Sequence, residues 1–138
     1  KIDLRPKPIS CITVIDSKVW CGFADGYVTV FDSKTQSIVA AFIAFEDSKI
    51  QCMLHVDDII WIGSTTIKIY DTKKFTKKKS ISTKDIILSM KTISLGNSSY
   101  VWVGDLQGFI SIFNTSGGAL LTKIKIGEPI YSLQQVGE

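Results

Sequence analysis

His55 is the only histidine in the chain, so any Ser-His-Asp triad would have to use it. It stands in Lys49–Val56, a run whose apolar and β-branched residues predict a strand rather than a loop presenting a base. That placement favours a packed or surface imidazole. The sequence has no GxxxxGK or GxGxxG phosphate loop, no GxSxG elbow and no HExxH pair. Two acid pairs, Glu46-Asp47 and Asp57-Asp58, could share a proton or a cation, but both fall at predicted turns, where carboxylates usually bond their own backbone. No acidic series has EF-hand spacing. The residues therefore nominate no catalytic group, no metal ligand and no cofactor, and the expectation is a protein that is not an enzyme.

Cys11, Cys21 and Cys52 all lie in predicted strands, without a CxxC pair. An odd, strand-embedded set points to reduced thiols and a cytoplasmic setting. Asn97-Ser98-Ser99 and Asn114-Thr115-Ser116 fit the N-glycosylation pattern and keep an extracellular reading open. Five lysines in seven residues, Lys73, Lys74, Lys77, Lys78 and Lys79, form the one uneven charge feature. Lysine on a sheet edge discourages strand pairing between molecules. The same run could attract anionic lipid headgroups or an acidic partner. The net charge of +3 is too small to imply nucleic acid. No apolar run approaches the ~18 residues that a bilayer span needs. Lys1–Pro6 lacks a signal-peptide core, and suggests a cut made inside a larger protein.

The elements that must position these groups repeat. Trp20, Trp61 and Trp102 are spaced 41 residues apart, each in a Trp-x-Gly context: Trp20-Cys21-Gly22, Trp61-Ile62-Gly63 and Trp102-Val103-Gly104. After each comes a turn and a strand-like run ending in Phe31-Asp32, Tyr70-Asp71 or Phe113-Asn114. The first repeat predicts strands at Ile9–Ile15, Val19–Phe23, Tyr27–Phe31 and Ser37–Ile43. The second predicts Lys49–Val56, Ile59–Gly63, Ile67–Tyr70 and Phe75–Ile81. The third predicts Ile86–Ile93, Tyr100–Gly104, Phe109–Phe113 and Ala119–Ile126, with Gly96–Ser99 as a longer turn. Asp25-Gly26 predicts a tight hairpin, because glycine accepts positive φ. Cys11, Cys52, Ser89 and Ser132 share one place in four aligned first strands, where crowded innermost strands would want a small side chain. Ile130–Val136 thus opens a further repeat, and Lys1–Leu4 resembles the end of a preceding one.

Four antiparallel strands per unit of about 40–45 residues, closed by an aromatic-Asp pair, resemble a WD40-type β-propeller over the whole chain. The Trp-x-Gly form is similar to the divergent propellers of Rho guanine-nucleotide exchange factors, Roco-type kinases and JNK-pathway scaffolds, and to those of bacterial two-component sensors. The resemblance implies an all-β, WD40-like segment over residues 1–138. Its three four-stranded blades would span about 9–43, 49–81 and 86–126, with one extra strand at 130–136. The Gly-His pair of strict WD40 repeats is missing, so their Asp-His-Ser/Thr-Trp hydrogen-bond set cannot be built. Propellers close with ~4–8 blades. The chain is therefore expected to be part of a longer propeller, with two copies closing a six-bladed ring as the other arrangement; the extra strand favours the former. The function that follows is a non-catalytic protein-interaction scaffold within a larger signalling or trafficking protein. The alternatives are a lipid-binding module using Lys73–Lys79 and an extracellular sensory propeller. The expected partner-binding rim gathers Asp25, Phe45, Glu46, Asp47, Thr65, Thr66 and Gln107, with Phe45 as an aromatic anchor.

Overall fold

The structure, a computed structural model, describes residues 7–116 and 118–134. The regular elements among these are twelve strands. Blade 1 holds β1 (Ile9–Ile15), β2 (Lys18–Phe23), β3 (Tyr27–Asp32) and β4 (Ile38–Ile43). Blade 2 holds β5 (Cys52–Val56), β6 (Ile59–Gly63), β7 (Ile67–Asp71) and β8 (Lys77–Ile81). Blade 3 holds β9 (Ile87–Leu95), β10 (Ser98–Asp105), β11 (Phe109–Asn114) and β12 (Leu120–Lys125). Each blade is a four-stranded antiparallel meander in chain order. The first strands β1, β5 and β9 adjoin one another, so they are the innermost, and β4, β8 and β12 are the outer edges.

Period-2 alternation explains how one strand serves two neighbours. On β6, Ile60 and Ile62 join the core shared with blade 1, while Ile59 and Trp61 join the core shared with blade 3. Trp20 and Trp61 are fully buried in these two cores, whereas the equivalent Trp102 is half-buried on a face that no fourth blade covers here. No acceptor among the described residues reaches the buried indole Nε1–H of Trp20, Trp61 or Trp102.

The glycine of each Trp-x-Gly has a packing reason that the sequence reading missed. Cys11 pairs with Gly22, Cys52 with Gly63 and Ser89 with Gly104 across the two inner strands. A Cβ on Gly22 would stand 2.9 Å from Cys11 Sγ and 2.8 Å from Ile50 Cγ2. On Gly63 it would stand 3.0 Å from Cys52 Sγ and 2.8 Å from Ile87 Cγ2, and on Gly104 2.7 Å from Ser89 Oγ and 2.4 Å from Ile130 Cγ2. Each blade therefore has a notch, made by glycine and a small inner residue, that seats an isoleucine entering the next. Ile130 takes its seat as Ile50 and Ile87 do. Its N–H donates to Asp105 O at 3.1 Å and its carbonyl accepts Ser89 Oγ–H at 2.8 Å.

Two expectations change in detail. Ile130 lies in that seat, but residues 130–134 form no strand and Tyr131 is exposed; the rest of 130–136, and Lys1–Leu4, lie outside the described residues. The turn expected at Gly96–Ser99 shrinks to Gly96-Asn97, because Ser98 and Ser99 pair with Leu95 and Ser94 and lengthen the hairpin. Gly96 carries φ 61 at the first central position, where a II′ hairpin turn wants glycine.

Candidate functional site

Asp25, Thr65-Thr66 and Gln107 occupy the same turn in three successive blades, between the second and third strands, and so line one rim at equal steps. Local hydrogen bonds set each turn. Asp25 Oδ1 accepts Tyr27 N–H at 3.2 Å, Thr66 O accepts Ser64 N–H at 2.9 Å, and buried Asp105 Oδ1 accepts Gln107 N–H at 3.0 Å. Gly26 fits the expected hairpin, with φ 93. Its carbonyl also accepts the N–H groups of Ala44 and Phe45 at 3.0 and 3.1 Å, and a Cβ there would collide with Phe45 O. This approach draws Ala44–Ser48 in against the rim.

Of the predicted rim residues, Asp25, Glu46 and Asp47 come together. They line an open cleft of about 650 Å³ on blade 1, with Phe23, Tyr27 and Ile43 as its apolar wall and Lys7 at its mouth. Lys7 Nζ stands 3.9 Å from Asp25 Oδ2, a partly exposed pair of the class worth roughly 0–1 kcal/mol. Thr65, Thr66 and Gln107 do not converge on this cleft. Phe45 corrects the expectation of an exposed anchor: it is 5% exposed and belongs to the core between blades 1 and 2. Lys68 Nζ lies 4.8 Å from its ring centroid and donates to Ala44 O at 2.6 Å. Burial, and secondarily the charge of Lys77, hold the Lys68 ammonium below the ordinary lysine range.

The lysine run is exposed but divided. Lys73 and Lys74 lie in the β7–β8 turn, where their N–H groups donate to Asp71 Oδ1, each at 2.8 Å. These bonds hold the Asp71 carboxyl below its usual value, as those from Thr35 and Lys34 do for Asp32. A bulge between Ile69 and Tyr70 then splits β8. Lys77 pairs with Tyr70, which faces blade 1, and Lys79 pairs with Ile69, which faces blade 3. The five ammonium groups are thus shared among a turn and both sides of the blade.

No group of three or more His, Cys, Asp and Glu side chains placed to hold a metal ion occurs among the described residues. His55 Nε2 contacts Asp57 O at 2.6 Å on the exposed surface. Cys11, Cys21 and Cys52 are free thiols. Burial pushes the Cys11 thiol up to about 11 and that of Cys52 to about 12, so both stay protonated at neutral pH. No helix among the described residues is long and apolar enough to cross a membrane.

No family model matches the chain. It is 28% identical to the Rho GTPase-activating protein gacL of Dictyostelium discoideum over 78% of this chain and 16% of that protein. The chain therefore spans about one sixth of that relative. Among solved structures it superposes on the computationally designed Ika4 protein with TM-score 0.82 at 18% identity, covering 99% of this chain and 85% of that one. The Pan2 WD40 domain of Neurospora crassa gives TM-score 0.79 at 17% identity, covering 91% of this chain and 40% of that one. The fold is that of a WD40-like β-propeller segment. In this frame the acidic cleft has a structural counterpart. Thr29 holds on blade 1 the place of Lys68 on blade 2, so the cleft lies where blade 2 receives Ala44 and Phe45 from its neighbour.

Proposed function

We propose that this chain is a non-catalytic platform for protein–protein interaction within a larger cytoplasmic signalling protein, one that acts on Rho-family GTPases. The observation that carries this reading is the rim: the turns at Asp25, Thr65-Thr66 and Gln107 recur between the second and third strands of three successive blades, and Glu46 and Asp47 lie beside the first of them. Rigid scaffolds that present loops suit recognition. The WD40 likeness and the name of the Dictyostelium relative support the class and the context. Three free thiols support a reducing compartment. The test has two arms. The chain alone should leave the rate of GTP hydrolysis by a Rho-family GTPase unchanged. Affinity capture with the parent protein should lose a defined set of partners when Asp25→Asn, Glu46→Gln and Asp47→Asn are combined. Acceleration of hydrolysis by this chain, or capture indifferent to the rim, would overturn the reading.

A second reading, recruitment to an anionic membrane, is favoured by the exposure of Lys73, Lys74, Lys77, Lys78 and Lys79. It requires salt-sensitive flotation with phosphatidylserine vesicles that disappears when all five become Glu. The division of the run by the β8 bulge weighs against one flat basic patch.

A further inference from the structure

The two blade–blade interfaces are built from equivalent positions, and they differ. Between blades 1 and 2 the outer part is filled by aromatic rings. Phe42 stacks on Tyr70 with centroids 4.6 Å apart, Phe75 lies 5.5 Å from Trp20, and Phe45 plugs the rim end. Between blades 2 and 3 the strand registers put Ile81 in the place of Phe42 and Lys79 in the place of Ala40. Gly118, which closes the turn after β11 with φ 65, takes the place of Phe75. Counted from the outer strand, Lys84 takes that of Phe45. Three rings are thus exchanged for smaller or charged residues, and a groove of about 380 Å³ opens.

Its chemistry is cationic. Lys79, Lys84 and Lys123 line it together with Ser82, Thr83 and Ser111. Lys123 Nζ is held 4.4 Å from the Phe109 ring centroid. The one acid in the lining, Asp105, is buried, and its Oδ1 accepts the N–H groups of Gln107 and Phe109 at 3.0 Å each. Beside the groove, β8 is the outer strand of its sheet, so one row of its backbone groups faces away from β7. An edge strand next to a basic groove fits strand addition, in which main-chain bonds give affinity and side-chain pockets give specificity. A lipid surface fits less well, since the groove lies between two blades and β8 turns Lys77 away from it.

We infer that the groove between β8 and blade 3 docks an extended acidic segment of a partner protein. The segment adds along the outer edge of β8 and places oxyanions among Lys79, Lys84 and Lys123. This rests on the platform reading above and names one surface of it. The probe is a short capped peptide alternating Glu and Val, with phosphoserine-for-Glu and Gln-for-Glu versions, followed by fluorescence anisotropy and amide shift mapping on the full chain. The expected result is saturable binding of an acidic version, with shifts at residues 79–84, 118 and 123, and none for the Gln version. A tighter phosphoserine peptide would assign a phosphorylated partner segment, and a tighter Glu peptide an unmodified one; either supports the site. Lys79→Gln and Lys123→Gln should each weaken binding roughly tenfold, while Lys73→Gln with Lys74→Gln should not. Ile81→Phe, which restores the ring of the other interface and keeps every charge, should abolish it. No binding, equal loss from both pairs of lysine changes, or indifference to Ile81→Phe would overturn the inference, as would exclusive binding to phosphatidylserine vesicles. Failure here with rim-dependent partner capture intact would leave the platform reading standing.

Discussion

At the scale of single residues, the Trp-x-Gly sentence is a packing device. The tryptophan fills the space between blades, and the glycine leaves room for the isoleucine that opens the next. Gly63→Ala should therefore destabilise the chain by about 1–3 kcal/mol, the range for overpacking a well-filled core, because the Cβ meets Ile87 and Cys52 at once. Urea unfolding checks this, and an unchanged midpoint would mean that the notch yields. The thiols beside these notches give a pH test. Burial raises Cys11 and Cys52 from 9.0 to about 11 and about 12. The folded state thus holds those protons more tightly than the unfolded chain. The stability this contributes is complete below pH 9.0 and should be lost as pH rises from there through the folded values. Cys11→Ala with Cys52→Ala should flatten that alkaline decline in thermal melts, and an identical decline would assign it to other groups. The small residue at the third place of each inner strand was legible from the repeat alone. The burial of Phe45 was not, because only the approach of Gly26 O to two N–H groups shows the loop folding under the blade.

At the scale of elements, strand positions were legible because hydrophobic alternation and turn residues agree. β1 and β6 begin and end where the pattern predicts, and most others shift by one or two residues. Only β5 departs by more, beginning at Cys52 rather than Lys49; two-residue departures sit where pairing overrides pattern, as at Gly96-Asn97, and where local bonds replace the ladder. Gln36, Phe75 and Gly118 all take positive φ in the turn before an outer strand, so Phe75 belongs to the turn and β8 begins at Lys77. A bulge leaves no compositional mark, and for that reason the lysine run looked like one patch. The Asp closing the third strand shapes that turn by accepting two backbone N–H bonds as a carboxylate. Its pKa is lowered from 3.8, so this contribution is present above that value and is lost as pH falls through the lower folded value. Asp71→Ala should lower the melting temperature at neutral pH and shrink the acid-induced loss relative to the parent chain. A variant that melts like the parent at every pH would show that the turn folds without its carboxylate.

At the scale of the whole molecule, the arc has two unlike ends that should fit one another. Blade 1 presents Ile12 and Val14, 57% and 64% exposed, on the face equivalent to the one blade 2 turns toward blade 1. Blade 3 presents the half-buried Trp102 with Ile112 and Ile110, the positions that blades 1 and 2 fill with core residues. Such a pair of faces is heterologous, and a heterologous contact propagates unless its rotation closes. Two three-bladed arcs make six blades, within the range in which propellers close. The isolated 138-residue chain should therefore associate head to tail, with a mass by light scattering near twice 15.3 kDa when the ring closes and larger when it does not. Val14→Glu, on the exposed face of blade 1 and outside both blade–blade cores, should return it to 15.3 kDa without loss of folded signal. A parent chain that is monomeric at every concentration would mean that these faces do not recognise one another, and partners would then have to be sought on the rim and in the groove of a single arc.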